Sequence, residues 1–413
     1  MTQAVRALYQ RNRQRGHAAW CNTDYDFVCP SLGTYPFQWF WDSCFHAIVL
    51  SHFDLDRARA ELRTLLHNAA GDGLVSHVTL WQRERFEKLL ATYSIAYRTP
   101  YLSDCMQPPV LAEAVEAVYR RSNDRAFLDE ILPKVRAFFD WCARVRDPDQ
   151  DGLIAVLQVD ETGLDHVPKF DTYLGIGQGE TAPLDDFTAG WEGVAGPYAK
   201  VGRDPQQMFA LDLFVVEEVM VNTIYAHNQE VLGALLAEVG DRSGAAEMQR
   251  RAQKGRQALY AKCWHEGEGL FFDLAGLGER MLEENSFTSL MPLLLSDLDP
   301  ERAKRLIAQI EDPSSYAARY PVPSVPLSAK AFRAGDEGAQ LLWRGPTWLN
   351  SNWYLARGLK THGRGDLAAV LVERSVELIE KSGFREFYNP HTGEGYGAHD
   401  FSWTALVLDM LSG

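Results

Sequence analysis

The stretch DETGLDHVPKFD, residues 160 to 171, carries Asp160, Glu161, Asp165 and Asp171 in twelve residues that also hold Gly163, Pro168 and Phe170. These acids could decorate a solvated loop, or one of them could be placed to give up a proton. Asp165 is the best placed. Gly163 and Pro168 put it in a turn-prone segment, and Leu164, Val167 and Phe170 would desolvate its carboxyl, raising its pKa and keeping it protonated near neutrality. A protonated carboxyl is half of what cleavage of a glycosidic bond requires. The other half is an ionised carboxylate that activates water or attacks the sugar. Glu386 in FREFYNP, between aromatics and before a turn-forming Asn-Pro and Thr-Gly-Glu-Gly run, is the candidate for it. With 56 acids in the chain, many pairs could be drawn, and a structural ion pair is the alternative for either residue. Glu161 is a second candidate acid and Glu394 a second candidate base, both ranked as supports.

A sugar would also need flat apolar faces beside hydrogen-bonding groups. Six of the eleven tryptophans (Trp39, Trp41, Trp343, Trp348, Trp353 and Trp403) fall in three loop-like segments, 35 to 47, 341 to 354 and 384 to 403. Core packing is the alternative for any single one of them. Their clustering with Gln38, Asp42, Arg344 and Asn350 favours a binding site for the group.

The elements that must position these residues are mostly helical. Apolar positions recur at three and four residues in VLAEAVEAVYRR (110 to 121) and DLAAVLVERSVELIEK (366 to 381), and again over 55 to 69, 124 to 145, 211 to 239, 242 to 261 and 300 to 310. Strand candidates such as GLIAVLQV (152 to 159) and GLFFDLA (269 to 275) are short and bounded by turn residues. The pattern predicts an all-α fold of about a dozen amphipathic helices, an (α/α)6 barrel or toroid, with short β-hairpins and long loops gathered at the mouth. No linker divides the chain, so residues 1–413 are expected to form a single catalytic domain. The one long segment of low periodicity, about 172 to 206, is expected to be a lid or cap.

A net charge of -15 without a cluster of Lys and Arg argues against nucleic acid as a partner. No run approaches the roughly 18 apolar residues that span a bilayer, and the opening MTQAVRALYQRNRQRG has no apolar signal core, so no membrane partner and a cytoplasmic location are expected. The six cysteines are scattered and read as buried free thiols. Association into a homo-oligomer stays open.

The segment GLDHVPKFD, with Glu161 just before it, resembles the ESGxDNSPRxD segment of glycoside hydrolase family 63 and, more distantly, the ESGWD segment of trehalases. FREFYNPHTGEGYGAHDFSWTA resembles the family's closing ExYxPxTGxGxGxxxFSWTA segment, and QWFWDSCFHA, MQPPVLA and WRGPTWLNSNW supply three further matches in the family's order. The resemblance implies an (α/α)6 barrel and an inverting, exo-acting α-glycosidase. On that pattern Asp165 matches the general acid and Glu386 the general base; Asp42 matches a residue that hydrogen-bonds the sugar, and Gln107 lies where the family lines its site. The compact length is similar to the bacterial branch that hydrolyses mannosylglycerate or glucosylglycerate. Such a small carbohydrate carries a carboxylate, for which Arg344 and Arg203 are candidate receivers. Tyr35, Tyr388 and Tyr396 could add hydroxyl donors. Gln38, Trp39, Trp41, Gly163, Trp343, Trp348 and Trp403 complete the expected substrate contacts. Where the family often reads Asn-Ser-Pro-Arg, this chain has His166, Val167, Pro168 and Lys169.

No cofactor and no metal are expected. DPDQDG opens like a calcium loop, but the twelfth position is Gln158 instead of a bidentate Glu, and a helix-to-strand turn is preferred. Two other readings remain at this point. A sugar epimerase or isomerase on the same toroid would use His46, His166, His391 or His399 for proton transfer, and a non-catalytic sugar-binding protein would need the tryptophans without the acid and base.

Overall fold

The computed structural model describes residues 1–177, 184–335 and 342–413, and among these the chain is rich in helices with short strand hairpins. The periodic segments fold as helices Leu55–His67, Leu111–Ser122, Arg125–Val145, Arg242–Lys262, Pro300–Glu311 and Gly365–Ser382. Each presents an apolar stripe to the interior; in Pro300–Glu311 that stripe is Ala303, Leu306, Ile307 and Ile310. Asp299 starts this last helix by accepting from the backbone N–H of Glu301 and Arg302.

Several segments differ from the sequence expectation. The helix expected from 211 begins only at Val219, because Asp212 (φ 48°) ends the short helix Pro205–Leu211 and Val216–Glu217 pairs as a strand with Asp273–Ala275. Phe40–Leu50 and Leu349–Thr361 are helices without a legible period. All eleven residues of the first are buried, so no polar face exists to mark one. The segment expected as a lid contains the helix Leu184–Lys200, whose Gly190, Gly193, Gly196 and Pro197 dilute its pattern; residues 178–183 lie outside the described part. GLFFDLA forms the strands Leu270–Phe271 and Asp273–Ala275, whereas GLIAVLQV contributes only the bridge of Val156 to Val216.

The chain divides into two compact units. The first comprises Met1–Cys142, Asn228–Arg250 and Ala398–Gly413. It contains the antiparallel hairpin Arg13–Ala18 with Thr23–Val28, and a small sheet in which Gln38–Trp39 pairs with Val78–Thr79. The second comprises Ala143–His227 and Arg251–Gly397. There the helix Leu349–Thr361 packs on the 3-10 helix Phe287–Leu294. Of the six free cysteines five are buried and Cys21 is half-buried. No described helix is long and apolar enough to cross a membrane.

Close approach of those two elements depends on Gly358. A Cβ added there would lie 2.8 Å from the carbonyl carbon of Leu293, a backbone atom that cannot swing aside. Gly358→Ala is expected to cost about 1–3 kcal/mol through overpacking, read as a lower thermal midpoint. An unchanged midpoint would mean that the two elements are free to separate.

Candidate active site

The acid segment is a series of tight turns with two residues in the left-handed region, Gly163 (φ 67°) and His166 (φ 63°), on either side of Asp165. The 3-10 helix Val159–Glu161 leads in, and the Thr162 hydroxyl donates to the Val159 carbonyl while accepting from the Leu164 N–H. Leu164 is fully buried and Asp165 half-buried. Among the described residues no side chain hydrogen-bonds to Asp165, and burial pushes its carboxyl up from 3.8 to about 6. Its neighbours are all anchored. Glu161 is buried, pairs with Arg146 and accepts the Leu157 N–H, which makes it a support of the loop. Asp160 accepts from Gln158, and its carboxyl is raised by burial and by the nearby Asp165. Asp171 pairs with Arg344.

Lys169 fixes the far end of this segment. Its ammonium, 2% exposed, pairs with Glu218 and lies 2.9 Å from Asp273 and 3.0 Å from the Thr288 hydroxyl. Burial alone would release its proton, but Asp273 and Glu218 hold it above the ordinary lysine value. Both acids also receive backbone N–H groups, Glu218 from Val221 and Asp273 from Val219, so the loop is tied to the first turn of the helix Val219–Glu238.

Glu386 lies on the strand Arg385–Tyr388, which forms a hairpin with Gly395–His399. It is 5% exposed, and it packs so closely over Gly397 (φ 67°) that a Cβ there would fall 2.5 Å from the Glu386 Oε2. Two chains of contacts connect this strand to the acid loop within the second unit. Asp171 holds Arg344, and three residues on Thr347 bridges Tyr388 through paired backbone hydrogen bonds of 2.8 and 3.0 Å. Beside Thr288, Phe287 stacks on Trp343; Trp343 stacks on Trp348 at 3.9 Å, and Trp348 packs on Phe387, the neighbour of Glu386.

These contacts engage several of the expected substrate residues. Trp343 and Trp348 are each 1% exposed. The Tyr388 hydroxyl donates to the Gly383 carbonyl at 2.7 Å, and that of Tyr396 to Glu394 at 2.7 Å. Arg344 lies against Asp171, whereas Arg203 donates to the neutral amide oxygen of Gln158.

The first unit gathers the other candidates. Trp41 and Asp42 open the helix Phe40–Leu50, and the Trp41 N–H, an orphan of that helix end, donates to Gln107 at 3.2 Å. Trp403 meets Trp41 edge-on at 5.1 Å, and Tyr35 meets Trp39 edge-on at 6.0 Å. Gln38, 1% exposed, accepts from the Trp81 indole and donates to Ser43, whose hydroxyl donates to the buried Glu61. Glu61 escaped the sequence reading, although a signal existed: it shares the apolar stripe of Ala58, Leu62 and Leu65. Lys169, Glu218 and Asp273 escaped it too, and nothing local marks that trio.

In DPDQDG the Asp147 and Asp151 carboxylates accept from the Gly152 and Leu153 N–H, as in a turn. Asp149, Asp151, Glu217 and Glu279 cluster around the Lys262 ammonium, which lies 2.8 Å from Asp151 and 2.5 Å from Glu279. His46 is buried, and His391 and His399 are exposed.

The model of the family described as the mannosylglycerate hydrolase MGH1-like glycoside hydrolase domain matches residues 35–404. A mannosylglycerate hydrolase of Thermus thermophilus is 30% identical, over 92% of this chain and 95% of that protein. A glucosylglycerate hydrolase of Mycolicibacterium hassiacum is 25% identical, over 91% and 92%. The crystal structure of a GH63 mannosylglycerate hydrolase, also of Thermus thermophilus, in complex with Tris and D-glycerate superposes with a TM-score of 0.85 at 26% identity, covering 100% of both chains. With relatives named as hydrolases, the epimerase and non-catalytic readings have no support.

The raised carboxyl of Asp165 has a consequence for stability. A group whose pKa is 3.8 unfolded and about 6 folded binds its proton more tightly in the folded chain, so wild type loses stability as pH rises through that window. Asp165→Asn removes this loss. Denaturant titrations are expected to show the variant gaining on wild type from pH 3.8 to about 6 and holding a level advantage above it. A gap independent of pH would show the carboxyl to be ordinary.

Proposed function

The chain belongs to the mannosylglycerate hydrolase MGH1-like family of glycoside hydrolases, and from that membership we propose an inverting, exo-acting α-glycosidase that hydrolyses mannosylglycerate or glucosylglycerate. The catalytic domain is an (α/α)6 toroid acting in the cytoplasm, with the described residues 172–177 and 184–206 contributing its cap. The observation that carries the mechanism is Asp165: a desolvated carboxyl with no hydrogen bond from the described residues, on a loop whose other acids are all anchored.

In this mechanism Asp165 gives its proton to the glycosidic oxygen as the bond from that oxygen to the anomeric carbon breaks. Glu386 takes a proton from a water on the opposite face, and the water oxygen bonds to the anomeric carbon with inversion. The products are the free hexose and glycerate. Inversion requires about 6.5–9.5 Å between the two carboxyls, the room a water needs. Asp42 and Gln107 are the proposed sugar contacts. Arg203 and Arg344, the latter held by Asp171, are the proposed receivers for the glycerate carboxylate.

Asp165→Asn and Glu386→Gln are each expected to lower kcat by about 10²–10⁴-fold on whichever glycoside wild type turns over. Time-resolved NMR of the wild-type reaction is expected to show the β-anomer of the hexose first; an α-anomer first would mean retention and overturn the mechanism. A second outcome follows from the acid's protonation. The kcat/KM of wild type is expected to fall as pH rises through about 6, because the free enzyme then loses the proton it must donate. A profile still level two units above that would assign the acid elsewhere.

A further inference from the structure

The oxygen that Asp165 protonates joins the sugar to the aglycone, so a side chain flanking Asp165 has a place beside that bond once the carboxyl is within hydrogen-bond reach of about 2.6–3.2 Å. Of the two neighbours, Leu164 is fully buried in the core and offers nothing. His166 is half-buried, sits in a left-handed turn (φ 63°), and has an Nδ1 that finds no hydrogen-bond partner among the described residues. Asparagine and histidine are both among the residues that enter such a left-handed backbone.

The imidazole does not stand alone. Phe187, from the helix Leu184–Lys200, is 5% exposed and rests on Leu174 and Ile176. The ring of His166 meets it edge-on, with centroids 4.9 Å apart at 79°, and the Arg344 guanidinium lies 4.8 Å from its centroid. Arg344 in turn is fixed by Asp171. Asp171 belongs to the same short segment as Asp165 and His166, so the loop, the arginine and the helix close into one packed unit. Burial, reinforced by the charge of Arg344, holds the imidazole neutral, pushing its pKa down to about 4. It therefore offers one donor and one acceptor and no charge.

We propose that His166 contacts the aglycone and sets the preference for a small hydroxylated leaving group such as glycerate, with Phe187 as the positioning residue that holds the imidazole. This rests on the reading of Asp165 as the general acid.

The test is calorimetric binding of free D-glycerate, D-mannose and D-glucose to the full chain, with thermal midpoints alongside. His166→Phe keeps a ring against Phe187 and loses both nitrogens. It is expected to weaken D-glycerate about tenfold and to leave the hexose that wild type binds within about twofold. Phe187→Leu is expected to move binding in the same direction by a smaller factor. His166→Asn, which accepts the left-handed backbone and keeps a polar side chain, is expected to retain more glycerate affinity than His166→Phe, and it carries the test if His166→Phe does not fold. Equal weakening of glycerate and hexose, or no change in either, overturns the proposal while leaving the hydrolase reading intact. Failure of wild type to turn over either glycoside overturns that reading, and the proposal with it.

Discussion

A lysine ammonium buried between two carboxylates is the constraint on which the rest of the candidate site depends. Lys169 is 2% exposed, with Glu218 and Asp273 as its counter-charges. A buried charge of this kind tolerates little displacement, because removing one partner leaves the others uncompensated at a cost of about 3–5 kcal/mol. The ammonium is four residues from Asp165, so what holds it also limits where the acid can go. Glu218 and Asp273 extend the restraint to the start of the helix Val219–Glu238 through the backbone N–H groups that they receive. Around Asp165, Glu161 is held by Arg146, Asp160 by Gln158 and Asp171 by Arg344, while desolvation raises the Asp165 carboxyl itself.

The aromatic residues have a division of labour that residue type alone does not show. Trp343 and Trp348 stack on each other and bridge Phe287 to Phe387, which makes them a stiff connection between the acid loop and the strand of Glu386. The energy of such a stack resides in buried area and ring geometry. It ties the segment of Asp165 to the strand of Glu386. Gly397 serves the same end by its lack of a side chain, giving the Glu386 carboxylate the place a methyl group would take.

Helices with one polar face were legible in the sequence to within a few residues, as in Leu111–Ser122 and Gly365–Ser382. Phe40–Leu50 and the first eight residues of Leu349–Thr361 were not, since a helical stretch buried on every side has no periodicity to read. The raised carboxyl of Asp165 was legible for a local reason: Leu164, Val167 and Phe170 sit beside it in the chain and imply desolvation, and burial raises it in the folded chain. Glu61, on the same helical stripe as recognisable core positions, was there to be read as a buried acid.

By itself the sequence determined the family, through ordered motifs from QWFWD to FSWTA, and the residue types that can act as acid and base. It also determined most of the helices, because amphipathic periodicity is a local property. Only the tertiary structure decided which polar groups are engaged by the protein itself: Arg344 by Asp171, the Tyr388 hydroxyl by Gly383, Gln38 by Trp81 and Ser43, Lys169 by Glu218 and Asp273. Most of these partners lie tens or hundreds of residues apart. A hydrogen bond or buried ion pair depends on distances of about 3 Å, and only the packing of distant elements sets those.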